Sequence, residues 1–230
     1  MVIGNGMVAK RFESYKTNDD FIIFASGVSN SKNKDAAACE REISLLAESI
    51  VVNPNKKLVY FSTCSFYDPA ETESFYVSHK RKIENIIHQQ VANYYIFRVS
   101  NLVGKSLNQN TILNFFYYHI INKINFDLWI NSTRNLVDTD DFFFMVDYIL
   151  QNNILSNKII NIANPVSYNV KNIVTALETI LHQKANSIPI SKGSSFTIDI
   201  SLILPVIEKL GINFDGLYLD RLLKKYYLHQ

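Results

Sequence analysis

Short apolar runs alternate with segments of helical periodicity along most of this chain, and that alternation constrains the fold more than any other feature. Phe21-Ile22-Ile23-Phe24, Leu58-Val59-Tyr60-Phe61 and Tyr94–Val99 read as strands. Between the first two, residues 34–51 place Ala36, Ala37, Ile43, Leu46, Ala47 and Ile50 at helical spacing, after a polar loop to Asn33. A second helix runs from about residue 74 to Gln90. Strand and helix in turn predict an α/β fold, with a parallel sheet covered by helices on both faces.

The pattern loosens after Asn101. An aromatic-rich helix is predicted over 110–123 and a short strand over 125–130. Thr139 is the expected N-cap of a helix to Gln151, with Asp140 and Asp141 in its first turn. Strand 158–163, helix 168–183, strand 186–190 and helices near 201–210 and 215–227 complete the chain. The aromatic runs Phe142-Phe143-Phe144 and Phe115-Phe116-Tyr117-Tyr118 read as core packing.

Composition narrows the function. With 230 residues and 47% hydrophobic content, the chain suits one domain, 1–230, with a sizeable core and a small second lobe. A net charge of +2 gives no support to nucleic-acid binding. No apolar run approaches the ~20 residues of a membrane span. The start, Met1-Val2-Ile3-Gly4, lacks a basic, cleavable leader pattern, so the expected compartment is the cytoplasm. Cys39 and Cys64 make neither a metal nor a disulfide framework.

Two short motifs carry chemistry. Gly4-x-Gly6-x-x-Ala9 lies between a short strand and a helix. Its glycines permit a tight turn and close approach to a diphosphate, and Ala9 permits close helix–strand packing. The expected cofactor contacts are Gly4, Asn5, Gly6, Met7 and Val8. Asp19-Asp20 stands at the distance of a ribose-binding acid, but it precedes a strand instead of ending one. Lys10 and Arg11 read as a solvated helix face more readily than as a 2′-phosphate site.

The second motif is Tyr76-x-x-x-Lys80, at the start of the second helix. Four residues put phenol and ammonium on one helix face. A lysine beside the phenol favours the phenolate, and such a tyrosine exchanges protons with a substrate hydroxyl near neutral pH. Thr63, at the end of the preceding strand, can bind the same oxygen.

Taken in order, these pieces resemble the extended short-chain dehydrogenase/reductases, specifically the NAD-dependent nucleotide-sugar epimerase/dehydratase family. The resemblance rests on Gly4–Ala9, Phe24-Ala25-Ser26-Gly27, Ser62-Thr63-x-x-Phe66-Tyr67, Tyr76-x-x-x-Lys80, Arg98-x-x-Asn101-x-x-Gly104, Arg134-x-x-Val137-x-x-x-Asp141 and Asn161-Ile162-Ala163. It implies a Rossmann-like parallel sheet, NAD or NADP as cofactor, and a C-terminal substrate lobe mainly within 102–135 and 164–230. It also implies catalytic roles for Thr63, Tyr76 and Lys80, with Tyr76 as acid/base and Lys80 on the nicotinamide ribose. Ser26 and Gly27 would lie along the cofactor. Thr63, Asn101 and Arg134 would bind substrate, Arg134 through a diphosphate that suits its planar fork. The alternative for Arg134 is a surface ion pair with Asp138 or Asp140. No metal is expected.

Three departures shape the expectation. The span from the first helix to Phe21 is too short for the family's second strand, its helix and third strand, so the adenosine half is reduced. The loop from Thr63 to Tyr76 is short. Cys64 and Ser65 stand where the family's 4,6-dehydratases carry an Asp-Glu pair, so dehydration is not expected. The implied activity is a nucleotide-sugar ketoreductase or 4-epimerase in surface-polysaccharide precursor synthesis. The alternative is a non-catalytic dinucleotide-binding or partner subunit of the same fold. Surplus apolar positions predict a homodimer through helices 34–51 and 74–91. These are Leu45, Leu46, Ile50 and Val51 on the first helix and Val77, Ile83, Ile86, Ile87 and Val91 on the second.

Overall fold

The apolar runs do form neighbouring parallel strands in the computed structural model, which describes residues 1–28, 34–106 and 108–228. Most of the polar loop expected to end at Asn33 lies outside the described residues. In chain order the elements are β1 (Val2–Ile3), α1 (Met7–Arg11), β2 (Phe21–Phe24), α2 (Ala36–Val52), β3 (Lys57–Thr63), α3 (Phe75–Gln90) and β4 (Tyr94–Val99). There follow β5 (Asn101–Val103), α4 (Ile112–Ile121), β6 (Phe126–Trp129), β7 (Thr133–Asp138), α5 (Thr139–Gln151) and β8 (Lys158–Ile162). The chain ends with β9 (Ser167–Asn169), α6 (Val170–Leu181), β10 (Ser187–Ile190), α7 (Leu204–Leu210) and α8 (Tyr218–Tyr227).

The main sheet has the order β1-β2-β3-β4-β8, and every neighbouring pair is parallel. In a doubly wound sheet of order 3-2-1-4-5-6 the first strand is internal. Here β1 is an edge, so the two strands that would lie beyond it are missing among the described residues.

Strand alternation divides the sheet's side chains between two cores. Phe21, Ile23, Val59, Tyr95 and Phe97 pack with Phe142, Met145 and Ile149 of α5 and Val206 of α7. Ile22, Phe24, Leu58, Tyr60 and Ile96 pack with Leu46 of α2 and Ile83 and Ile87 of α3. Burial on both faces explains why these strands read as continuous apolar runs. A third core joins Leu113 and Phe116 of α4, Leu136 of β7, Ile173 and Leu177 of α6 and Leu223 of α8.

Two expectations need correction, and one strand was not anticipated. The N-cap of α5 is Asp138, whose carboxylate accepts from Asp140 N, and not Thr139. Residues 133–138 form a strand, parallel to β5 and antiparallel to β9. The aromatic runs are not wholly core: Phe142 and Phe116 are buried, but Phe144 and Tyr118 are exposed. Successive helical residues point about 100° apart, so a run of three or four cannot all face inward. Phe143 and Phe144 instead stack with the Arg11 guanidinium, 4.0 and 5.6 Å from their ring centroids.

Candidate active site

The carboxyl ends of β1, β2 and β3 converge where a doubly wound sheet binds its ligands. Gly4 turns the chain out of β1 at φ +122, and a Cβ there would stand 2.5 Å from Ala25 O. This glycine therefore lets the first turn lie directly on the end of β2. At Gly6 a Cβ would meet nothing, and Gly4, Asn5 and Gly6 are all exposed. Ala9 is buried, as its packing role requires. Val8 is partly buried and packs against the first core. Met7 borders a small cavity with Gly104, Thr111 and Tyr227.

Thr63 ends β3 and caps the short turn Cys64–Tyr67 by accepting from Ser65 N at 3.0 Å. Ser74 caps α3 through Val77 N, which starts the helix two residues before Tyr76. The Thr63 hydroxyl lies near enough to the Tyr76 phenol to favour its ionised form, while its own hydrogen goes to Ser65 Oγ at 2.9 Å. The structure thus brings the expected hydroxyl pair together. Cys64 is buried, donates to Arg98 O, and its thiol is pushed up by burial. It is an inert group beside the pair.

Lys80 behaves differently from expectation. Its Nζ lies 5.9 Å from the Tyr76 ring centroid and donates to Glu42 Oε1 at 3.0 Å and Tyr60 OH at 2.8 Å. Its charge is therefore paired with Glu42. The Tyr76 phenol is not lowered: burial pushes it up to about 12, and the Thr63 hydroxyl only partly offsets that. Burial also lowers Lys80, with the Glu42 charge opposing.

Glu42, Tyr60 and His79 were not visible as site residues in the sequence. Glu42 accepts from Tyr60 OH at 2.7 Å and Val28 N at 2.7 Å, and lies 2.9 Å from His79 Nε2. Burial pushes its carboxyl up, but the His79 bond, the Lys80 charge and the bonds from Val28 and Tyr60 bring it down to about 2. One signal was available. Glu42 falls three residues after Cys39 and four before Leu46, on the same buried stripe.

Asn101 and Arg134 form a second group, on β5 and β7. Asn101 Nδ2 donates to Asn135 O, tying the two strands, and Arg134 Nη1 donates to Thr133 O. No hydrogen bond links this group to Thr63, Tyr76 and Lys80 among the described residues. The alternative ion pairs for Arg134 do not form. Asp138 pairs with Lys225, and Asp140 with Lys225 and Arg11.

A nicotinamide dinucleotide fits this framework in part. The open turn at Gly6 suits a diphosphate, while Lys80, 2% exposed, has one N–H beyond its two bonds. Among the described residues, neither Asp19 nor Asp20 supplies an acid for the adenosine ribose. Asp19 and Asp20 precede β2, at the opposite end of the strand, and Asp19 pairs with Lys56.

The family model described as NAD dependent epimerase/dehydratase family matches residues 20–163, more than half of the chain. The chain belongs to this family. Its match begins after the glycine turn, consistent with the shortened first half. No curated protein sequence matches closely enough to count as a relative. Among solved structures, PbgP3 protein from Burkholderia pseudomallei is similar at TM-score 0.72 and 18% identity, over 96% of this chain and 80% of that one. DesIV (dTDP-glucose 4,6-dehydratase) from Streptomyces venezuelae, with NAD and TYD bound, gives TM-score 0.71 and 15% identity over 95% and 77%. UDP-glucose 4-epimerase from Thermus thermophilus, in complex with NAD, gives 0.68 and 12% over 93% and 78%. At these identities the likeness is one of fold.

Proposed function

We propose that this family member is an NAD(P)-dependent oxidoreductase or 4-epimerase of a nucleotide sugar. The observation that carries the reading is the approach of the Thr63 hydroxyl to the Tyr76 phenol at the carboxyl end of a parallel sheet, with Lys80 one helical turn on. The nicotinamide ring, when bound, supplies the hydride acceptor or donor. Tyr76 moves the proton to or from the substrate hydroxyl, and Thr63 holds that oxygen. Arg134 and Asn101 hold the diphosphate and sugar. With Cys64 buried and Ser65 bonded to Thr63, the two positions after Thr63 offer no carboxylate pair for dehydration. The setting in this reading is cytoplasmic synthesis of surface-polysaccharide precursors. No helix among the described residues is long and apolar enough to cross a membrane.

Incubating the protein with UDP- and dTDP-sugars plus NAD or NADP, and following sugar configuration by NMR, tests the reading. Interconversion at the 4-position or formation of a reduced sugar supports it. Cofactor binding without turnover of any sugar would favour the non-catalytic reading, to which the missing strands beyond β1 lend weight.

The same missing strands predict poor discrimination between the two cofactors. NAD and NADP affinities are expected to agree within tenfold, about 1.4 kcal/mol. A larger preference in calorimetric titrations would reveal a ribose contact outside the residues named above.

The proposed assembly is a homodimer through α2 and α3. Val77, Ile83, Ile87 and Leu46 are buried in this chain's own core, which reduces the surplus apolar face. Leu45, Ile50, Ile86 and Val91 are half-buried, and Val51 remains exposed. A twofold contact carries each substitution twice. Ile86→Lys is expected to shift the protein toward monomer in light scattering. Wild-type scattering at the 26.4 kDa of one chain at micromolar concentration would sink the dimer.

A further inference from the structure

Glu42 is an acid in a place where the reaction proposed above has no use for one. Its carboxylate is 2% exposed on the buried stripe of α2. Oε1 faces Lys80 Nζ and Tyr60 OH, and Oε2 faces Val28 N and His79 Nε2. Four partners saturate the carboxylate. A buried ion pair is seldom held for stability, because a well-packed apolar pair of similar volume does as well or better.

The pair's position gives it a use. A Cβ on Gly27 would stand 2.7 Å from Lys80 Nζ and 2.8 Å from Glu42 Oε1. The glycine lets both charges lie against the chain just past the end of β2, and Glu42 also binds the next residue's N–H. Glu42 and Tyr60 take two of the ammonium's three hydrogens, so the direction of the third is fixed.

We propose that Glu42 is a positioning residue for the nicotinamide half of the site. It holds the Lys80 ammonium under Gly27, with one N–H aimed at a ribose hydroxyl, and ties the backbone at Val28 into the same bonded set. This rests on the reading that Lys80 serves a bound dinucleotide. Glu42 touches neither cofactor nor substrate and acts only through Lys80 and Val28.

A double-mutant cycle on cofactor affinity tests it. NAD and NADP are titrated calorimetrically into wild type, Glu42→Gln, Lys80→Met and the double variant, with circular dichroism confirming the fold. Each single variant is expected to bind about tenfold more weakly, and the double no more weakly than Lys80→Met alone. Additive losses, unchanged binding by Glu42→Gln, or tighter binding would overturn the proposal. If Glu42→Gln does not fold, Tyr60→Phe removes a hydroxyl bonded to both members of the pair. It should show a smaller loss with the same non-additivity.

A second readout needs no cofactor. Around Lys80 stand Glu42 and Cys39 from α2, Tyr60 from β3, and Tyr76, His79 and Glu84 from α3. Burial lowers the ammonium's pKa and Glu42 is the main group raising it. Glu42→Gln should therefore lower the Lys80 titration seen by NMR of labelled lysine, and an unchanged titration would count against positioning. Wild type binding neither cofactor would remove the functional reading together with this one. Wild-type binding with additive losses removes positioning alone.

Discussion

Tyr76→Phe is expected to lower turnover by ~10² or more while leaving the fold intact. The substitution deletes one oxygen. Its ring stays in place on α3, beside Thr63 of β3. The size of the loss reflects the phenol's protonation state. Pushed from its ordinary 10 up to about 12, it is a proton donor at neutral pH. It is therefore ready for the reductive direction, whereas oxidation needs the phenolate and should speed up as pH rises. Tyrosinate absorbance gives the check in the free protein. Up to about pH 10, wild type and Tyr76→Phe should differ by no ionising tyrosine. A tyrosinate seen only in wild type near neutrality would show that Lys80 tunes the phenol downward. Near-full activity of Tyr76→Phe on a confirmed substrate would remove it from the reaction.

That Thr63 and Tyr76 would stand near each other was legible in the sequence for a physical reason. Each sits at the boundary of an element whose pattern is strong: the apolar strand β3 and the serine-capped helix α3. The parallel sheet was legible on the same ground, since strands buried on both faces leave unbroken apolar runs. Glu42 was hidden because apolar periodicity counts only apolar residues. Ala36, Ala37 and Ala47 suggested one face for α2, but they are exposed, and the buried stripe is Cys39, Glu42, Leu46 and Ser49. A carboxylate is stable there only because Tyr60, His79 and Lys80 arrive from distant positions. Strand β7 was hidden by its own sequence. Thr133, Arg134 and Asn135 carry no alternation, and Asp138 is needed to cap the next helix. What Lys80 does follows from Glu42, so spacing alone misjudged the tyrosine's acidity.

The largest loss of stability is expected from Arg98→Met. Arg98 is the penultimate residue of β4, opposite Ser62 of β3, and its guanidinium grips Glu84 of α3 with Nε at 3.0 Å and Nη2 at 2.6 Å. Ser62 Oγ adds a bond to the same carboxylate at 2.6 Å, and the Arg98 Cζ lies 4.0 Å over the Phe66 ring. Its backbone oxygen accepts from Cys64. One residue thus joins two strands, the helix that carries Tyr76 and the turn that follows Thr63. The Glu84 side chain is 4% exposed, so removing its cation leaves a buried carboxylate held by Ser62 alone. Such a loss costs about 3–5 kcal/mol, and for a chain of this size that lowers Tm by about 10 °C. A second variant separates charge from packing. Adding Glu84→Met to Arg98→Met removes the stranded carboxylate and should recover most of the loss, giving a coupling of several kcal/mol. A double variant as unstable as the sum of the singles would mean that Arg98 acts through its packing on Phe66, and that the ion pair contributes little.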